Sequence, residues 1–340
     1  MPHRYPVREI ARQAGVSEAT VDRVLHRRSG VREGTVLQVE QAIADLDRQR
    51  TQLRLSGRQF MIDLVMETPR QFSRLVREAL ELELPGLRPA VIRARYHLNE
   101  TWETDDLIAK LDAIVRQGSH GVVLKAPDTP AVAEAIGRLT ARRIPVITLV
   151  TDVPMSTRVA YVGMDNRAAG ATAGYLMCQW LRHVDADVLV MTSSEMFRGE
   201  EEREMGFRAA MRTYDPDRKV IVVTDSDGLD ETCGPLTTRT LREHPGVAAV
   251  YSIGGGNKGI VAAFGREDRT CEAFIGHDLG DANRALLRSG HLTAVLHHDL
   301  RADMRAVAQT VMGFHGALPG DHRPRASGIQ IITPHNVPED

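Results

Sequence analysis

The sequence predicts a small all-α helix-turn-helix head joined to an α/β body of two lobes, each built on a doubly wound parallel sheet. Three observations carry this expectation. The first 46 residues hold three short runs of helical apolar periodicity, separated by a glycine and by a polar loop. From Phe60 onward, short apolar strands alternate with amphipathic helices through two successive rounds. Charge is also divided: residues 1–58 hold eleven arginines against seven acids, a surplus of +4, whereas the chain as a whole carries −2. A small basic head on an acidic body is the asymmetry of a nucleic-acid module on a separate scaffold.

Residues 7–14 place Val7, Ile10, Ala11 and Ala14 on one helical face. Gly15 follows, where a tight turn needs a residue tolerant of positive φ. Ser17 suits the N-cap of a helix over 18–25, which turns Val21, Val24 and Leu25 inward. A third helix over 33–46 repeats Val36, Val39, Ile43 and Leu46. Helix, glycine turn and short helix together form the helix-turn-helix signature. Residues 48–58 are polar and basic with two leucines, and read as a hinge between a head over 1–47 and a body over 59–340.

In the body, strands are expected over 60–66, 90–96, 121–125 and 145–150, with helices over 71–84, 104–116 and 130–142 between them. A second round places helices over 166–182, 200–214, 232–243 and 258–266, and strands over 188–192, 220–224, 248–252 and 271–275. A helix over 301–314 and a strand over 329–333 complete the chain. The first lobe would take about 59–164 and 299–326, the second about 165–298 and 327–340. Ligands of such sheets bind at the carboxyl ends of the strands.

Several function classes are disfavoured. Cys178, Cys233 and Cys271 are far apart and odd in number, which predicts neither a disulfide framework nor a zinc site and suits a reducing compartment. The first fifteen residues carry charges every few positions and lack a leader-like apolar run, and no apolar stretch approaches the ~18 residues of a membrane span, so a cytoplasmic location is expected. Nucleophile-elbow, zinc-protease and Cys–His arrangements are missing, which predicts a non-enzyme. The glycines Gly254, Gly255 and Gly256 before Asn257 fit neither the P-loop nor the dinucleotide pattern, so no nucleotide cofactor is expected, and the glycines read as letting backbone approach a ligand. His297 and His298 lack a third partner at metal spacing, so no metal is expected.

The run Ala14, Gly15, Val16, Ser17, with Thr20, Val21, Arg23, Val24 and Leu25, then Gly30, Val31 and Thr35, resembles the head of the lactose-repressor (LacI/GalR) family of transcriptional regulators. The resemblance implies base reading in the major groove from Glu18, Ala19 and Arg23, with Arg23 suited to guanine and Glu18 to cytosine. It implies phosphate contacts from Ser17, Thr20, His26, Arg32 and Thr35. Asp22 departs from the small hydroxyl residue usual at its position, and its carboxylate needs neutralising beside phosphates. The hinge lacks the family's proline; Leu55 aligns with the leucine that wedges into the minor groove. From the residues alone, Arg23 also fits a solvated helix position or a partner for Glu18 or Asp22.

The stretches 161–170, 203–208, 274–278 and 329–336 resemble the family's sensor domain and, through it, periplasmic sugar-binding proteins. Implied effector contacts are Asp152, Arg203, Asn257 and Asp278, with His298 where glutamine is usual and Phe72 as a ring-stacking aromatic. Other readings stay open: Arg203 sits among Glu200, Glu201, Glu202 and Glu204 and fits a surface ion-pair network, Asp278 fits a helix cap, and Phe72 fits a core. Asp165 and Asn166 open a helix and read as cap and crossover residues. The expected partners are double-stranded operator DNA, a second copy of the chain in a homodimer, and a small effector. The acids and single central arginine favour a neutral sugar or polyol. A transport solute-binding protein is the competing reading, disfavoured by the head, and a Rossmann-type enzyme a further one.

Overall fold

The computed structural model describes residues 3–55, 57–87, 90–320 and 322–338, with the backbone alone over 51–55. The head comprises α1 (Val7–Ala14), α2 (Glu18–Leu25) and α3 (Glu33–Leu55). Gly15 takes the left-handed turn at φ 64°, and its N–H closes onto the Ala11 carbonyl. The Ser17 hydroxyl caps α2 by accepting the Thr20 N–H at 3.2 Å. Ile10, Ala11, Ala14, Val21, Val39 and Leu46 bury against one another together with Tyr5. The first two helices have the predicted bounds. The third runs on through most of the predicted hinge, because residues 47–55 hold no proline or glycine and are rich in Arg, Gln and Leu, which are good helix formers. The side chain of Leu55, expected as a minor-groove wedge, lies outside the described residues.

The first lobe follows as β1 (Gln59–Glu67), α4 (Arg70–Glu83), β2 (Val91–Asn99), α5 (Thr104–Gln117), β3 (Gly121–Lys125), α6 (Pro130–Ala141), β4 (Val146–Leu149) and β5 (Ala160–Val162). The second contains α7 (Asn166–Trp180), β6 (Asp187–Met191), α8 (Arg198–Tyr214), β7 (Val220–Val223), α9 (Asp230–Glu243), β8 (Val247–Ser252), α10 (Asn257–Arg266), β9 (Ala273–His277), α11 (Asp281–Arg288) and β10 (Ala294–His297). Among the described residues the strand orders are β2-β1-β3-β4-β5 and, with β11 (Gln330–Ile332) at its edge, β11-β10-β9-β8-β6-β7. Pairing is parallel except for β10 with β11. Crossover helices cover both faces of each sheet, so its central strands are mostly apolar; every residue of β3 and β4 is buried, the polar Lys125 and Thr148 included.

The chain crosses between lobes more than once. α12 (Leu300–Phe314) follows β10 of the second sheet, yet its Leu300, Met304, Val307 and Val311 join the core of the first, with Phe60, Ile62 and Leu64. It then returns to the second sheet as β11, passing a bridge between Met164 and Ser327. No helix among the described residues is long and apolar enough to cross a membrane.

Candidate functional site

Two surfaces stand apart. On the head, Ser17, Glu18, Ala19, Arg23, His26 and Arg32 are exposed, and Thr20, Asp22 and Thr35 are partly so. Val21 holds the helix to the head from the opposite face. Asp22 pairs with His26 at 3.0 Å and Arg28 at 3.2 Å, so its charge is met from the C-terminal side of α2. The Arg23 side chain therefore remains without an ion pair or hydrogen bond among the described residues.

Between the lobes lies a cleft of about 580 Å³, within the ~300–1,000 Å³ usual for small-ligand sites. Strand ends build its walls: Glu67 to Phe72 after β1, Lys125 at the end of β3, Val150 and Thr151 after β4, and from the second lobe Ser193, Asn257 and Asp278. The lobes touch around it. The Asp128 N–H donates to the Met196 carbonyl at 2.9 Å, the Gly199 N–H donates to the Thr151 hydroxyl at 2.9 Å, and Arg74 pairs with Asp281. Four wall residues hold left-handed backbones despite carrying side chains, Val150 at φ 66°, Asp225 at φ 59°, Asp227 at φ 48° and Asp278 at φ 64°. For a β-branched valine this is an outlier, of the kind that concentrates at binding sites.

Polar atoms of the wall are buried without partners among the described residues: Glu67 Oε2, Arg203 Nη2, Asn257 Oδ1, His277 Nδ1 and Asp278 Oδ1. Each such atom costs about 1–3 kcal/mol. Arg203, 3% exposed, donates from Nε to Asn166 Oδ1 at 2.8 Å and from Nη1 to the Ile253 carbonyl at 3.4 Å. Asn166 in turn donates to the Val150 carbonyl at 2.9 Å, so the guanidinium is set by a residue of the lobe crossover. Burial pushes the Lys125 ammonium down to about 8 and raises the Glu67 carboxyl. Burial, reinforced by Arg203, holds His277 well below its ordinary value, and its Nε2 shares a hydrogen bond of 2.8 Å with the Tyr251 hydroxyl.

Of the residues named from sequence for the effector, Phe72, Arg203, Asn257 and Asp278 line this cleft. Arg203 is buried and outside the ion pairs of its helix, which run from Arg198 to Glu201 and Glu202 and from Arg208 to Glu204. Phe72 belongs to the first-lobe core and also reaches the wall. Asp152 and His298 do not line it. β4 ends at Leu149, so the wall passes to Val150 and Thr151, while Asp152 turns away to accept Thr148 Oγ1 at 2.6 Å, the Val153 N–H at 2.8 Å and Arg158. His298, fully buried at the crossover, pairs through Nδ1 with Asp303 at 2.5 Å, and its Nε2 stands 3.8 Å from Asp278. The glycines 254–256 reach the wall, but they serve packing: a Cβ on Gly254 would lie 2.5 Å from the Ser193 nitrogen, and one on Gly256 2.1 Å from Cys233 Sγ. Asp165 caps α7 by accepting the Ala168 N–H at 2.9 Å.

A profile described as periplasmic binding protein domain matches residues 72–313, and one described as bacterial regulatory proteins, lacI family, matches residues 7–49. The chain belongs to the LacI family. It is a DNA-binding transcriptional regulator whose body has the periplasmic-binding-protein fold. Comparison with curated proteins finds no match. Among solved structures this LacI-family chain is similar to GanP, a glucose-galactose binding protein from Geobacillus stearothermophilus (22% identity, TM-score 0.72, covering 83% of this chain and 100% of that one). It is also similar to a Bacteroides fragilis protein assigned as a LacI transcriptional regulator (16% identity, TM-score 0.71, 82% and 98% covered). A third is an ABC transporter solute-binding protein from Burkholderia graminis in complex with D-arabinose (17% identity, TM-score 0.72, 83% and 97% covered). At these identities the likeness is one of fold.

Sequence reasoning passed over Lys125, Glu67, Glu200 and His277 of the LacI-family sensor. A signal existed for the first two: each is a charged residue closing a largely apolar strand, at the end where parallel sheets place their ligands.

Proposed function

We propose that the chain binds a specific operator through α2 and that a small polyhydroxylated effector, a sugar or polyol, controls that binding from the inter-lobe cleft. The reading places the protein in the cytoplasm as a homodimer, whose two-fold axis sets two recognition helices on a pseudo-palindromic site. It assigns base edges to Glu18, Ala19 and Arg23 and phosphates to Ser17, Thr20, His26, Arg32 and Thr35. The effector is sensed without turnover.

The observation that carries the reading is the set of buried, unpartnered polar atoms converging on one cleft, on the same chain as an exposed and unpaired Arg23. Hydroxyl groups donate and accept at once, so a polyol satisfies Arg203, Asn257 and Asp278 together, while the Phe72 ring covers a C–H face. Effector-driven change at the lobe crossovers would alter how the two heads are held, a coupling of order 1–3 kcal/mol.

Two measurements test this. A thermal-shift screen of D-glucose, D-galactose, D-arabinose, D-fructose and their polyols is expected to find a stabilising compound. Duplexes selected from a random pool are expected to converge on a two-fold site whose gel shift that compound changes. Selection without convergence would contradict the DNA assignment, and a shift indifferent to every stabilising compound would contradict the control.

A further inference from the structure

We infer that the effector is a sugar acid of the aldonate or uronate class, whose carboxylate is held between Lys125 of the first lobe and Arg203 of the second. The inference rests on the effector reading above and narrows it.

Two buried cations face the same cleft. Lys125 donates from Nζ to the Glu67 carbonyl at 2.8 Å and lies 4.2 Å from the ring of Phe197, a residue of the opposite lobe. Arg203 has its bonds to Asn166 and Ile253 and a free Nη2. Neither cation makes a salt bridge within 4.0 Å among the described residues. Buried charges are ordinarily paired, because an unpaired one bears its full desolvation cost.

The nearby carboxylates, Glu67 and Asp278 included, make no ion pair with either cation within 4.0 Å among the described residues, and others are engaged elsewhere. Glu200 is engaged by the Ser193 N–H at 2.7 Å and the Ser193 hydroxyl at 2.6 Å. Asp227 accepts from the Leu229 N–H at 3.0 Å and Thr232 Oγ1 at 2.9 Å, and Asp230 from the Gly259 N–H at 3.0 Å. A ligand carboxylate supplies the missing anion to both cations, with the guanidinium donating from its free Nη2 and the ammonium acting as a point charge. Glu67 Oε2, Asn257 Oδ1 and Asp278 Oδ1 then accept from the ligand's hydroxyls. The acids around the cleft oppose a dianion, which points to a carboxylate rather than a phosphate ester. From sequence, with one arginine in view, a neutral ligand was favoured; folding brings a second cation to the same wall.

The same geometry gives a pH dependence. The titratable and charged groups facing Lys125 are Glu67 of β1, Glu200 and Arg203 of α8, and Asp278 after β9. Lys125 loses its proton as pH rises through about 8, so a sugar acid loses its counter-charge above that value and binds more weakly.

Calorimetry on the full chain tests the inference with D-gluconate, D-galactonate and D-galacturonate, each beside D-glucose or D-galactose. At pH 7 at least one acid is expected to bind roughly 10–100-fold more tightly than its neutral counterpart. Its affinity should fall about tenfold between pH 7 and pH 9, following the lysine proton. Lys125→Met should weaken the acid far more than the neutral sugar; the wild-type pH series makes the same test without a substitution. Tighter binding of the neutral sugars, or acid binding indifferent to pH, would overturn the inference and leave the sugar-sensing reading standing. Binding of neither class would overturn both.

Discussion

The recognition helix and the cleft both present unpaired polar groups, under opposite conditions. Arg23 stands in solvent, where water satisfies its guanidinium and leaving it unpaired costs little. Arg203 is withdrawn from water, with one nitrogen unpartnered and no ion pair within 4.0 Å among the described residues. The head can wait for DNA at almost no expense to its own fold. The cleft holds its readers against a desolvation cost that a ligand's own polar groups offset. An unpaired group is therefore weak evidence of function on α2 and strong evidence between the lobes.

The sharpest break of this comparison is a crossed pair of substitutions. Arg23→Ala is expected to lower operator affinity relative to random duplex by about 1–3 kcal/mol and leave effector affinity intact, as read by fluorescence anisotropy and calorimetry. Asp278→Ala should do the reverse, weakening the effector by about 1.5–3 kcal/mol while unliganded operator binding persists. If either substitution moves both affinities equally, the two surfaces are not separate.

Arg203→Met sharpens the point about cost. Effector binding should fall by a similar amount, yet thermal stability should change little, because removing an unpaired buried cation offsets the acceptor left open on Asn166. A large loss of stability would show that the guanidinium holds the fold. Asp152→Ala should behave in the opposite way. It removes the acceptor shared by Thr148, Val153 and Arg158, lowers stability by about 1–3 kcal/mol, and leaves effector affinity unchanged in a titration. The smallest effect is expected from Asp22→Ala. Its pairs with His26 and Arg28 are exposed, so denaturation should shift by less than about 1 kcal/mol, while DNA binding gains a steeper salt dependence as Arg28 is released to phosphates.

Much of this molecule was legible before folding, and the exceptions share a cause. Gly15, Ser17 and Val21 announce the head because turn, cap and core position lie within one short stretch. The strands β1 and β3 read clearly as apolar runs between helices. β5, α11 and β10 were not foreseen: two are strands of three and four residues, and the helix buries Leu287 alone, so each repeats its pattern too few times to stand out. In the cleft, Phe72, Arg203, Asn257 and Asp278 fell on the wall because each follows or faces a strand end. Asp152 missed it because β4 stops one residue early and hands the wall to Val150 and Thr151. Lys125 and Glu67 escaped notice because a charge at the end of an apolar strand ordinarily meets solvent; here the opposite lobe covers it, and no local pattern encodes that.

The account's central claim is that occupancy of the cleft and affinity for DNA are one linked equilibrium. The direct test measures operator affinity with and without saturating effector, and effector affinity with and without saturating operator, on the same full-length protein at one salt concentration. The account predicts that the two ratios are equal and differ from one by roughly 5–150-fold. Ratios of one, with both ligands bound, would contradict it.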